Sequence, residues 1–147
     1  MRVPAILVVD DDYPSRRTLT RPLERAGHIH EAANDDEGLQ QVSAHPLDLV
    51  IVDLMMPEKD GIDTILELRR SRPELAIIAV SGGGELGMGK DFLHVAARLG
   101  ADRVLSKANR RRGPRAAIEE SLSSPRIVSG KSRVSPANDD ARCICAY

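Results

Sequence analysis

The stretch Asp48-Leu-Val-Ile-Val-Asp-Leu-Met-Met-Pro-Glu-Lys-Asp-Gly61 opens with a short apolar run between two aspartates. Val50, Ile51 and Val52 are β-branched, and no position of the run alternates toward water, so Asp48–Val52 reads as a strand covered on both faces. Ala5-Ile-Leu-Val-Val9 repeats the pattern and stops on Asp10-Asp-Asp12. Leu75–Val80 is a third such run, and His28–Ala32 and Arg103–Ser106 are weaker strand candidates.

Stretches of helical periodicity lie between these runs. Asp12 suits a cap and Pro14 a first helical turn, with the helix expected to run to Gly27. A second helix, Asp35–Ala44, ends before Pro46, and a third, Asp60–Ser71, carries Ile62, Ile65, Leu66 and Leu68 ahead of Pro73. Phe92, Leu93, Val95, Ala96 and Leu99 mark a fourth that Gly100 stops, and Arg115–Leu122 supplies a closing helix. Strand then helix, repeated five times over about 120 residues, predicts an α/β domain: a doubly wound parallel sheet with helices on both faces. That domain is assigned to residues 1–122. Residues 123–147 mix Ser, Pro, Gly and charge without period and are expected to form a disordered tail.

Composition narrows the function classes. Of 147 residues, two are Tyr, one is Phe and none is Trp, so the core must be aliphatic and base-stacking nucleic-acid modules are disfavoured. The net charge of −1 conceals an acidic body and a basic end: residues 1–106 carry 12 Lys and Arg against 18 Asp and Glu, and residues 107–147 carry 9 against 4. The basic run Arg110-Arg-Arg-Gly-Pro-Arg115 is followed by no helix-turn-helix pattern, so no nucleic-acid partner is expected. No apolar run reaches the ~20 residues of a membrane span, and acid arrives too early for a signal peptide, which points to a cytoplasmic protein. Cys143 and Cys145 lack the further ligands of a zinc site, and His28, His30, His45 and His94 lack ligand spacing.

In an open parallel sheet, the residues just past the carboxyl ends of the strands converge on one rim. Here those residues are Asp10, Asp11 and Asp12, then Asp53, Ser81, and the pair Ser106-Lys107. Crowded carboxylates repel one another, and a hard divalent cation with oxygen ligands relieves the repulsion, Mg²⁺ being the common intracellular choice. A lysine and a hydroxyl beside them would complete a site for a phosphoryl group, with an aspartate able to act as nucleophile and form an acyl phosphate.

The chain resembles the response-regulator receiver domain over residues 3 to about 107. The likeness is carried by Ile6-Leu-Val-Val-Asp-Asp11 with Arg16 and Arg17 behind it, by Asp53, Met56, Pro57 and Gly61 at the family's spacing, by Ala79-Val-Ser-Gly-Gly83, and by Leu99–Lys107 ending in lysine. It implies a flavodoxin-like five-stranded sheet of order 2-1-3-4-5. It also implies that Asp53 is the phosphoacceptor, that Asp10 and Asp11 hold Mg²⁺ with Asp53 and the backbone carbonyl of Met55, that Ser81 is the switch hydroxyl and that Lys107 is the family's lysine. A histidine kinase or histidine phosphotransfer protein would donate the phosphoryl group, and an unknown downstream protein would read it. The expected function is a stand-alone, phosphorylation-controlled binding module rather than a turnover enzyme.

Two alternatives belong beside it. Asp10-Asp-Asp12 also reads as the D-x-D of a haloacid-dehalogenase-type Mg-dependent phosphatase, although Tyr13 and Pro14 stand where Thr and Gly are wanted. A degenerate receiver serving only as a docking scaffold is the other, because Ala108 replaces the proline that usually follows the lysine. Asp12 is explained by its capping role, and Arg16 and Arg17 are expected on a solvated or partner-facing helix edge. The run Ser81-Gly-Gly-Gly-Glu-Leu-Gly-Met-Gly-Lys-Asp91 approximates a phosphate loop, but Asp91 replaces the Ser or Thr that a P-loop needs. It reads instead as a pliant loop between the fourth strand and the fourth helix.

Overall fold

The computed structural model describes residues 3–56, 61–82, 88–107 and 113–123. The expectations for Pro57, Gly83, Gly84, Gly87, Ala108, Arg110–Arg112 and the tail after Ser123 fall on residues outside these. Five strands, β1 (Ala5–Val9), β2 (His28–Ala32), β3 (Leu49–Asp53), β4 (Ala76–Ser81) and β5 (Arg103–Ser106), alternate with five helices. The helices are α1 (Tyr13–Thr20), α2 (Asp35–Ala44), α3 (Gly61–Ser71), α4 (Met88–Leu99) and α5 (Gly113–Ser123). All strand pairs are parallel, and the order is β2-β1-β3-β4-β5. This is the flavodoxin-like arrangement that the family resemblance implied.

The apolar runs sort themselves between the two faces of the sheet by simple alternation. Leu7, Val9, Val50, Val52, Ile77 and Ala79 pack with Val42, Ile65, Leu68 and Ala96 from α2, α3 and α4. Their neighbours Ile6, Val8, Leu49, Ile51, Ile78 and Val80 pack on the other face with Leu19, Leu23 and Ile118. Every residue of β3 is buried, which is why its sequence shows no polar alternation.

Two helix expectations need adjustment. The first predicted helix, reaching Gly27, stops at Thr20 and passes into a 3₁₀ turn, Arg21–Leu23, because Pro22 has no N–H to give the carbonyl one helical turn back. The fourth begins at Met88 rather than Phe92, so Gly89 and Lys90 belong to its first turn and not to a phosphate loop. In the third helix, Leu66 is exposed while Ile65 and Leu68 are buried. Gly100 does end α4, at φ +134°, a backbone conformation that side chains rarely tolerate.

At the amino ends of the strands Arg69 acts as a fastener. It donates to the carbonyls of Gly100 (3.1 Å) and Leu75 (2.7 Å) and to Asp102 Oδ2 (3.0 Å), tying α3 to the starts of β4 and β5. At the other rim, α3 meets β3 without space to spare. A Cβ on Gly61 would run into the carbonyl oxygen of Asp53 and lie 2.8 Å from Leu54 Cα. Gly61→Ala is expected to push α3 off the end of β3 and cost about 2 kcal/mol, as overpacking against backbone does. A urea midpoint equal to that of the unsubstituted protein would show that α3 can move away freely.

Candidate functional site

Topology brings the four strand ends to one rim: β1 lies beside β3, β3 beside β4, and β4 beside β5. Asp10 follows β1 and is wholly buried, Asp53 ends β3 nearly so, and Ser81 ends β4 with no exposed surface. Lys107 follows β5, its amide donating to the Ser81 carbonyl at 2.9 Å, so a backbone hydrogen bond ties the two expected partners of Asp53 together.

Both buried carboxylates are aimed by the same local device. Oδ1 of Asp10 accepts from the amide of Asp12 (3.0 Å), and Oδ1 of Asp53 accepts from the amide of Met55 (3.0 Å). This short-range bond from the amide two residues on fixes each side chain as the chain leaves its strand. The second oxygens face each other across one cation: Lys107 Nζ lies 2.8 Å from Asp10 Oδ2 and 2.9 Å from Asp53 Oδ2. Asp12 caps α1 as expected, its Oδ2 accepting from the amide of Ser15 at 2.9 Å.

Burial decides the electrostatics. It raises the pKa of Asp53 above the ordinary aspartate range; the Met55 amide and Lys107 oppose the rise, and the charge of Asp10 adds to it. For Lys107 burial disfavours the ammonium, but its contacts with Asp10 and Asp53 outweigh that and hold its pKa above the usual lysine value. Two carboxylates against one ammonium leave the rim with unbalanced negative charge. Asp11, exposed at the mouth, adds a third carboxylate. One oxygen from each of Asp10, Asp11 and Asp53 lies within 4.8 Å of the others, a hard-oxygen set that fits a divalent cation.

Two residues play parts that sequence reasoning did not assign. Arg16, expected at a solvated or partner-facing helix edge, instead donates to the carbonyl of Asp10 (2.7 Å) and to Glu31 Oε2 (3.1 Å), with its side chain only 12% exposed. The first turn of α1 folds back over the end of β1, which brings a residue six positions on against Asp10. Ser15 enters the centre itself, its hydroxyl 2.6 Å from Asp10 Oδ2 and 2.6 Å from Lys107 Nζ. Position three of a capped helix beside an acid cluster is the only signal that could have found it. The remaining expected groups lie as follows: Met55 is 51% exposed at the rim, Met56 packs against the core, and the Ser81 hydroxyl is buried with no hydrogen-bond partner among the described residues.

Comparison with known proteins establishes the family. The family model of the response regulator receiver domain matches residues 6–119, and the chain belongs to that family. Such domains are signalling switches of two-component systems, and they bind a divalent metal at an acidic cluster. Among curated relatives, the photosynthetic apparatus regulatory protein RegA of Rhodovulum sulfidophilum is 34% identical over 105 residues, covering 71% of this chain and 55% of RegA. The chain thus spans about half of that relative. The response regulator receiver protein CpdR of Brucella abortus is 31% identical over 87 residues, covering 58% of this chain and 72% of CpdR. Among solved structures, a CheY-like receiver domain protein from Methanospirillum hungatei JF-1 superposes with a TM-score of 0.73 at 25% identity, over 83% of this chain and 95% of its own. Among the described residues no helix is long and apolar enough to cross a membrane.

Proposed function

We propose that this chain is a phosphoaspartate switch of two-component or phosphorelay signalling, in which Asp53 accepts a phosphoryl group from a histidine kinase or histidine phosphotransfer protein and the phosphorylated form changes its binding to a downstream protein. The observation that carries the reading is the buried Asp53 carboxylate, anchored on Lys107 and the Met55 amide, on the strand beside one that ends in a buried hydroxyl with no partner among the described residues. A buried hydroxyl without a partner is costly. A phosphoryl oxygen on Asp53 would be the acceptor that relieves it.

In the transfer, a carboxylate oxygen of Asp53 attacks phosphorus, an O–P bond forms, and the donor's P–N bond breaks with its electron pair remaining on the histidine nitrogen. Mg²⁺, held by Asp10, Asp11, Asp53 and the Met55 carbonyl, would neutralise phosphoryl oxygens when bound. Lys107 supplies a fixed positive charge on the same oxygens, and Ser81 donates its hydroxyl proton to one of them. Burial of Asp10 and Asp53 lowers the local dielectric around their oxygens, where such contacts are worth more than at the surface.

The direct test is incubation with Mg²⁺ and acetyl phosphate followed by intact-mass measurement, in which one added phosphoryl group at Asp53 is expected. Steady turnover of a phosphomonoester without stable labelling would instead favour a phosphatase. Asp11 can be probed separately because it is exposed and makes no demand on the core. Asp11→Ala is expected to weaken Mg²⁺ binding by more than about ten-fold in calorimetric titration, since even outer-shell losses cost that much, while leaving the urea midpoint in place. Unchanged Mg²⁺ affinity would remove the acid cluster from consideration as the metal site.

A further inference from the structure

Lys107 has three N–H donors, and the structure gives each an acceptor: Asp10 Oδ2 at 2.8 Å, Asp53 Oδ2 at 2.9 Å and Ser15 Oγ at 2.6 Å. Ser15 has one hydroxyl proton, and Asp10 Oδ2 accepts it at 2.6 Å. The hydroxyl is therefore a bridge, giving a proton to one member of the pair and a lone pair to the other. Its helix-capping contact is separate, because Asp12 binds the backbone amide of Ser15 and not its side chain.

We infer that Ser15 is a positioning residue of this centre, the neutral acceptor that keeps the Lys107 ammonium over Asp53 while the carboxylates change their bonding. The inference rests on the function proposed above. Once an oxygen of Asp53 is bonded to phosphorus, the carboxylate loses its full charge and holds an ammonium less strongly. Asp10 belongs to the acid cluster and is shared with whatever cation that cluster holds. The hydroxyl of Ser15 bonds to neither the phosphorus nor the cation, so its lone pair stays available to Lys107 through both events. Lys107 sits at the end of a flexible four-carbon stem that carries about 2 kcal/mol of rotamer entropy, so an acceptor that persists through the transfer confines it where a phosphoryl oxygen arrives.

Three variants separate the hydroxyl from the space it fills: Ser15→Ala, Ser15→Thr, and Ser15→Val, which has the shape of threonine without the hydroxyl. Two measurements are made on each. The first, in protein free of metal and donor, is the hydrogen-exchange rate of the Lys107 ammonium by nitrogen-15 NMR; the second is the rate of labelling by acetyl phosphate in Mg²⁺. Ser15→Ala and Ser15→Val are expected to speed ammonium exchange and slow labelling by about ten-fold, the usual worth of one hydrogen bond to a charged group, with Ser15→Thr close to the unsubstituted protein. Ammonium exchange unchanged in Ser15→Ala, or a Ser15→Val protein that labels at the full rate, would overturn the inference. If even the unsubstituted protein takes up no label, the proposed function fails, and the exchange rates alone decide whether Ser15 holds Lys107.

Discussion

Replacing Asp53 by asparagine is expected to abolish phosphoryl uptake and, in the absence of metal, to make the protein more resistant to heat. The first effect follows because an amide is no nucleophile toward phosphorus. The second follows from the direction of the Asp53 shift. A carboxyl whose folded-state pKa lies above its unfolded one is protonated more readily by the folded chain, so its ionised form subtracts stability. That subtraction is complete above the folded pKa and vanishes as pH falls to the ordinary aspartate value of 3.8. The carboxamide of Asp53→Asn keeps the shape without the buried charge, although its single oxygen can accept from Lys107 or from the Met55 amide but not from both, which trims the gain. Thermal unfolding of both proteins at neutral pH and again near pH 4 measures it: Asp53→Asn should melt higher at neutral pH, and the difference should narrow on acidification. Full labelling of Asp53→Asn would place the acceptor on another residue, and a lower melting point at neutral pH would show that Lys107 stabilises the ionised carboxylate more than burial destabilises it.

Loss of the lysine should have the opposite sign. Lys107→Ala leaves Asp10 and Asp53 facing each other without the cation that joins them, with exposures of 0% and 5% for the two side chains. Removing one partner of a buried ion pair leaves an uncompensated charge, and the expected cost is about 3 kcal/mol at neutral pH, read from urea unfolding without metal. Mg²⁺ should restore much of it by replacing the missing positive charge. Because the folded pKa of Lys107 is raised, its contribution is complete below the ordinary lysine value of 10.5 and is lost as pH rises through the folded one. The cost of Lys107→Ala should therefore shrink in strong alkali, where the lysine loses its charge, and also in acid, where Asp53 takes up a proton. A double-mutant cycle sharpens the test: in an Asp53→Asn background one of the two buried charges is gone, so the same substitution should cost less. Strict additivity of the two changes would mean that Lys107 and Asp53 do not interact, whatever their separation.

Continuous apolar runs such as Leu49–Val52 can be buried only between two layers, and acids placed directly after them can only lie at the sheet's carboxyl rim. From that much, the parallel sheet, its two helical layers and the meeting of Asp10, Asp53, Ser81 and Lys107 were legible in the linear sequence. The strand order came from likeness to a family, since local periodicity carries no information on which strands adjoin. Tertiary structure alone decided how the rim is wired. Ser15 and Lys107 are separated by 92 positions, and no spacing rule joins them. Arg16 looked like a surface charge because its sequence neighbours are polar, yet the turn from β1 into α1 lays it on the Asp10 carbonyl. Proline and glycine signals located most helix ends, but Pro22 ended α1 well before the expected stop at Gly27 and α4 started before its apolar pattern did. Short-range patterns follow from burial and backbone geometry, which act within a few residues and so leave a mark on the sequence. The distribution of hydrogen bonds among Asp10, Ser15, Asp53 and Lys107 is set by distances between elements far apart in the chain, and those exist only once the sheet has closed its two cores.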